Sequence, residues 1–162
     1  MKSSVLTYRW ALGSDHTGYG IKTLILDHLV QRGMSVDDVG CFSDDSVDYP
    51  IIAYEASLRI AKGICKFGVL LCGSGIGMSI VANRFPGIRA ALVWNEEIAR
   101  LSRAHNDANV LVLPARFLDG EKCISILKTW TVTTFNGGRH ELRVNQINKL
   151  GEKIAGEYCD NA

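Results

Sequence analysis

Apolar residues follow two rhythms along this chain. Short, nearly continuous apolar runs alternate with longer stretches in which apolar positions recur every three or four residues. Residues 8–12 read as a strand ending at Gly13-Ser14-Asp15-His16. Residues 17–32 follow as a helix with Ile21, Leu24, Ile25 and Leu29 at helical spacing. A second strand is expected over 34–39, and a second helix over 49–61 with Pro50 in its first turn. Phe67-Gly68-Val69-Leu70-Leu71 is almost wholly apolar, as a parallel strand covered on both faces should be. A glycine-rich turn over 73–77 leads into a helix ending near Asn83. Residues 89–93 and 110–113 read as two more buried strands around a helix at 96–104. Helices over about 119–134 and 141–155 close the chain.

This alternation predicts an α/β fold: a Rossmann-like, doubly wound parallel sheet of about five strands flanked by helices. Ligands of such sheets bind outside the carboxyl ends of the strands. Asp15-His16, the loop after residue 71 and the Asn95 region should therefore crowd one edge. His105-Asn106 should arrive there on a neighbouring connection.

Cys72-Gly73-Ser74-Gly75-Ile76-Gly77 stands where a buried strand gives way to a helix. Alternating glycines let backbone N–H groups converge on one point, and a helix start adds partial positive charge. The arrangement suits a phosphate or an oxyanion formed in a reaction. It is no dinucleotide fingerprint, because GxGxxG would need glycine at Met78, and no GKS/T phosphate loop occurs. A thiol beside a helix start has its thiolate favoured and can act as a base. On the loop alone, a small buried cysteine at the end of a strand is the plainer reading of Cys72.

Composition narrows the classes. With 18 basic and 17 acidic residues among 162, the net charge is +1, which gives no case for nucleic acid or an anionic membrane as partner. No apolar run reaches the roughly 18 residues of a membrane span, and residues 1–10 lack a signal-peptide pattern. Five scattered cysteines form no CxxC pair, so neither a disulfide framework nor a zinc site is expected, and a cytoplasmic home is. His28 reads as structural, mid-helix among apolar neighbours. Arg139 and Arg143 lie at i and i+4 and either grip one phosphate together or form a solvated face.

Six stretches then fall in one order: Gly13-Ser14-Asp15-His16-Thr17-Gly18, Asp48-Tyr49-Pro50, Cys72 through Ser79, Ala82 through Ala90, His105-Asn106-Asp107-Ala108-Asn109, and Gly137-Gly138-Arg139-His140-Glu141-Leu142-Arg143. Together they resemble the type B ribose-5-phosphate isomerase family, which includes the galactose-6-phosphate isomerase subunits. The resemblance covers about residues 8–155. It implies a single sugar-phosphate isomerase domain over 1–162, serving the pentose phosphate pathway without metal or organic cofactor. It also implies a homodimer or dimer of dimers with active sites at the subunit interface.

By that resemblance Cys72 is the proton acceptor and His105 the residue that opens the furanose ring. Asp15, His16, Gly73, Ser74, Gly75, Ile76, Gly77 and Asn106 bind substrate. Arg116, Arg139 and Arg143 bind phosphate or nearby substrate oxygens. Some members place a catalytic glutamate directly after the glycine loop; here that position is Met78, so cysteine must carry the step. The expected reaction interconverts ribose 5-phosphate and ribulose 5-phosphate. The competing readings are a hexose-6-phosphate isomerase (allose or galactose 6-phosphate), a non-catalytic phosphate- or nucleotide-binding module, and a cysteine-dependent hydrolase.

Overall fold

A computed structural model describes residues 8–159 of the chain. The expectations for residues 1–7, and for the side chain of Cys159, lie outside the described residues.

The apolar runs become five strands: β1 (Arg9–Ser14), β2 (Ser35–Asp38), β3 (Phe67–Cys72), β4 (Ala90–Leu92) and β5 (Val110–Pro114). All pair in parallel, in the order β2-β1-β3-β5-β4. Six helices connect and close them: α1 (Tyr19–Gln31), α2 (Tyr49–Ala61), α3 (Ile76–Ala82), α4 (Glu96–Asn106), α5 (Gly120–Val132) and α6 (Arg139–Cys159).

Alternation along the strands sends side chains into two cores. Trp10, Leu12, Val69, Leu71, Leu111 and Leu113 meet Ile25 and Leu29 of α1 and Ile126, Leu127 and Trp130 of α5. Ala11, Leu70, Cys72, Val110 and Val112 meet Ile52, Ala53 and Ala56 of α2 and Met78 of α3. The central β3 and β5 are buried on both faces; each fully buried Leu or Val contributes about 1.5–3 kcal/mol. The ladder therefore holds firmly at the strands that carry the loops of interest. α6 lies against α4 and buries Val144 there.

The structure moves several expected boundaries. β1 runs on to Ser14, because the Gly40 carbonyl and the Cys41 amide extend the pairing beside it. The segment read as a buried strand over 89–93 is a three-residue edge strand, and only half-buried, since β4 pairs with β5 alone. α4 continues past residue 104 to Asn106, where Asp107 ends it in a left-handed conformation (φ 45°). α6 starts at Arg139, two residues earlier than expected. His28 is half-exposed on a groove between α1 and α5 with Asp27 and Lys128. No helix among the described residues is long and apolar enough to cross a membrane.

The chain leaves β1 for β2 on one side and returns to β3 on the other. The crevice between the ends of β1 and β3 is thus the topological switch point of the sheet, where a ligand is expected.

Candidate active site

A cleft of about 550 Å³ opens at that switch point. Its walls include Asp15, His16 and Thr17 after β1, Tyr49 of α2, the Cys72–Gly77 turn after β3, and Arg116 and Phe117 after β5. Each is set in place by its backbone. The Asp15 amide donates to the Leu71 carbonyl at 3.0 Å, which sews the end of β1 to the end of β3. The Asp15 carboxylate accepts from the Thr17 amide at 2.9 Å and so caps the 3-10 turn His16–Gly18. His16 Nδ1 accepts a 3.4 Å hydrogen bond from the Val47 amide. In the neutral ring this leaves the proton on Nε2, free to donate to a ligand oxygen.

The Ala115 amide donates to the Cys72 carbonyl at 2.9 Å, and the Arg116 amide to the Gly73 carbonyl at 3.0 Å. These bonds lay the Arg116 side chain across Gly73, where a Cβ would stand 3.3 Å from it. Cys72 itself is only 4% exposed, yet it lines the cleft. Gly75 takes φ 74°, a left-handed turn that starts α3, and a Cβ there would collide with Leu92. At Gly77 the missing side chain makes room for the Tyr49 ring, whose hydroxyl oxygen would lie 2.6 Å from an added Cβ. Met78 is fully buried in the core beneath the loop and presents no polar atom to the cleft.

The remaining expected residues lie elsewhere. Asn95 caps α4, accepting from the Ile98 amide at 2.8 Å, and is not among the cleft residues. His105 and Asn106 do not join the edge that carries Cys72. They occupy the last turn of α4, a crossover helix that returns the chain to the start of β5, beside Arg89 and Asn109. Cys72 pairs with Pro114 at the other end of β5. The five-residue strand between them spans roughly 15 Å at about 3.3 Å per residue.

A second group gathers around His105. Its ring stacks on His140 with centroids 4.1 Å apart and planes 5° from parallel. The exposed Arg139 and Arg143 lie on the same first turns of α6. Desolvation of the stacked ring, followed by the charges of His105, Arg139 and Arg143, lowers the pKa of His140 below that of an ordinary histidine. One chain thus carries two separate groups at opposite ends of its sheet: Cys72, Asp15, His16 and Arg116 at one, and two histidines and two arginines at the other.

Several participants were not singled out from sequence. Tyr49, Thr17 and Phe117 line the cleft, Tyr49 from the Asp48-Tyr49-Pro50 stretch. Lys22 is 2% exposed and paired with Asp38, which also accepts from the Gly40 amide. That pair ties α1 to the end of β2. Nothing local marks it, since the partners are sixteen positions apart. Among the described residues, no three His, Cys, Asp or Glu side chains converge as a metal-ion cage.

The model of the family described as Ribose/Galactose Isomerase matches residues 10–147. The Escherichia coli protein named ribose-5-phosphate isomerase B is 41% identical over 143 residues, covering 88% of this chain and 96% of that one. Among solved structures, ribose-5-phosphate isomerase B of Clostridium thermocellum superposes with a TM-score of 0.88 at 42% identity, covering 90% of this chain and 99% of its own. The Mycoplasma genitalium enzyme, solved with bound ribulose 5-phosphate, gives a TM-score of 0.87 at 35% identity, with coverages of 90% and 97%.

Proposed function

This chain belongs to the ribose/galactose isomerase family, and we propose that it interconverts ribose 5-phosphate and ribulose 5-phosphate with Cys72 as the base. One observation carries the assignment of the base: Cys72 shares a single cleft with Asp15, His16 and Arg116 at the switch point of the sheet.

The isomerisation moves a proton from C2 to C1 through a cis-enediolate, while a hydroxyl proton passes from O2 to O1. It needs an open-chain carbonyl, a base over the C1–C2 face and donors for the developing oxyanion. In our reading the Cys72 thiolate takes the C2 proton and returns it to C1. Amides of the Gly73–Gly77 loop stabilise the enediolate, each such donor being typically worth about 3 kcal/mol. Asp15 and His16 hold substrate hydroxyls, and Arg116 holds a phosphate or sugar oxygen.

His105 opens the ring by moving a proton at the ring oxygen or anomeric hydroxyl, with Asn106 beside it on a substrate hydroxyl. Arg139 and Arg143 grip the phosphate. Because roughly 15 Å of β5 separates His105 from Cys72, both act on one substrate only if they come from two copies of the chain. We therefore infer a homodimer in which each site joins the Cys72 cleft of one copy to the His105–Arg143 group of the other. A dimer of dimers would keep the same site composition. Phosphate held by arginines supplies binding energy away from the reacting carbons and positions the flexible open chain.

The test is a coupled assay of ribose 5-phosphate beside allose 6-phosphate and galactose 6-phosphate, repeated with Cys72→Ala. Pentose phosphate should be preferred. The variant should lose at least about 10²-fold in kcat, the lower range of a positioned base, while still binding a sugar-phosphate analogue. Faster turnover of a hexose phosphate would shift the substrate assignment. Near-normal turnover by Cys72→Ala would remove the base.

A further inference from the structure

Arg89, just before β4, stands apart from the cleft but is tied to the residues that directly follow His105 at the end of α4. Its backbone is locked to the start of β5: its amide donates to Asn109 Oδ1 at 2.8 Å, and its carbonyl accepts from the Asn109 amide at 3.1 Å. From this anchor the half-buried guanidinium reaches the end of α4. Nε donates to the carbonyls of Asn106 and Asp107, both at 3.0 Å. Nη2 lies 3.0 Å from Asp107 Oδ2, and Nη1 lies 3.4 Å from Asn148 Oδ1 on α6 and from the Gly87 carbonyl. Arg103 grips the other carboxylate oxygen of Asp107 at 2.7 Å. The left-handed residue that ends α4 is thus clamped between two arginines, immediately after His105 and Asn106.

We propose that Arg89 is a positioning residue for ring opening: it fixes the last turn of α4 against α6, and so sets His105 relative to the arginines that hold the phosphate. The inference rests on the reading of His105 given above. A planar guanidinium meets three carbonyls, a carboxylate and an amide oxygen at once, whereas an ammonium is a point donor that cannot hold that set. A misplacement near 1 Å at a reacting group can cost about 10²-fold in rate.

The two halves of the reaction can be read separately. Ribulose 5-phosphate carries its phosphate on the C5 oxygen and cannot close a furanose ring, so deuterium uptake from D2O at its C1 reports enediolate formation without ring opening. Turnover of ribose 5-phosphate needs both. Arg89→Lys should lower kcat for ribose 5-phosphate by tenfold or more, while deuterium uptake into ribulose 5-phosphate changes less than twofold. In a His105→Asn background the same substitution should add no further loss. Equal effects on both measurements, no effect on either, or losses that multiply with His105→Asn would each overturn the proposal. Should Arg89→Lys fail to fold, Asp107→Gly decides: glycine adopts φ 45° freely but offers no carboxylate to Arg89, and the same separation of the two measurements is required. If His105→Asn itself slows both measurements alike, the ring-opening reading of His105 falls. If His105→Asn separates them and Arg89→Lys does not, only the role of Arg89 falls.

Discussion

Two inactive variants of this protein should restore each other. Cys72→Ala spoils the cleft at the end of β3, and His105→Asn spoils the group at the end of α4. In a mixed dimer, one site takes Cys72 from the His105→Asn copy and His105 from the Cys72→Ala copy, and is intact. The other site takes both defects. Random reassociation of equal amounts gives about half mixed dimers, each with one working site of two, hence about a quarter of wild-type activity. If both groups served one site within a chain, every site would carry a defect and mixing would restore nothing. The geometry favours the first outcome, because β5 separates the groups by roughly 15 Å. The assay is ribose 5-phosphate turnover after subunit exchange, with mixed dimers counted by native mass spectrometry of differently tagged chains. Mixed dimers present without activity above the sum of the parents would refute the shared site.

Three further outcomes follow from side-chain surroundings. Gly77→Ala places a methyl group in the Tyr49 ring and should cost about 1–3 kcal/mol in denaturant unfolding; Tyr49→Ala in that background should recover part of it, and strict additivity would count against the contact. Cys65 and Cys123 are buried with thiols pushed up to about 11, by desolvation and then by Asp37 and Asp119 respectively. Iodoacetamide at pH 8 should therefore mark Cys72, which lines the cleft, before either, and ribose 5-phosphate should protect it; peptide mass mapping that finds Cys65 or Cys123 modified first would contradict this. Desolvation, then Lys128 and Arg32, lower the pKa of His28 in the folded chain, so the unfolded chain takes up this proton first as pH falls. Stability should decline as pH drops through the ordinary histidine range near 6.5, and His28→Gln should flatten that decline in denaturant melts at pH 7 and pH 5; an unchanged slope would exclude His28 as its source.

Much of the fold was legible because its signals are local. The unbroken apolar runs of β3 and β5 could only be strands buried on both faces, and the glycines after Cys72 marked a turn into a helix. What was not local was lost. The buried Lys22 sits in an ordinary helical pattern, and its partner Asp38 is reached only through the fold. The end of α4 was placed too early because apolar spacing stops at Ala104, whereas the helix is carried two residues further by the grip of Arg89 and Arg103 on Asp107. The misplacement of His105 had a different source. A helix between parallel strands must run back toward their starts, so any residue in its last turn reaches the edge opposite the loops that follow the strands. That rule applies to α4 from sequence alone, and it separates His105 from Cys72 before any coordinates exist.

The separation also explains what the chain leaves uncovered. Ile76, Ile80 and Phe117, at 54%, 55% and 74% exposure, line the Cys72 cleft yet face outward, an expense that a finished active site would not carry. In our reading a second copy laid over that cleft would cover this apolar rim, expel water and bring in His105 with the charges of Arg139 and Arg143. Each hydrogen bond to the enediolate then acts in a drier, lower-dielectric site, where it is stronger. A two-fold contact is self-complementary, so the surface that completes one site completes the other at once. In our reading assembly and catalysis are therefore one event: the separated chain holds all the required side chains but brings no two halves together, and only the pair is an enzyme.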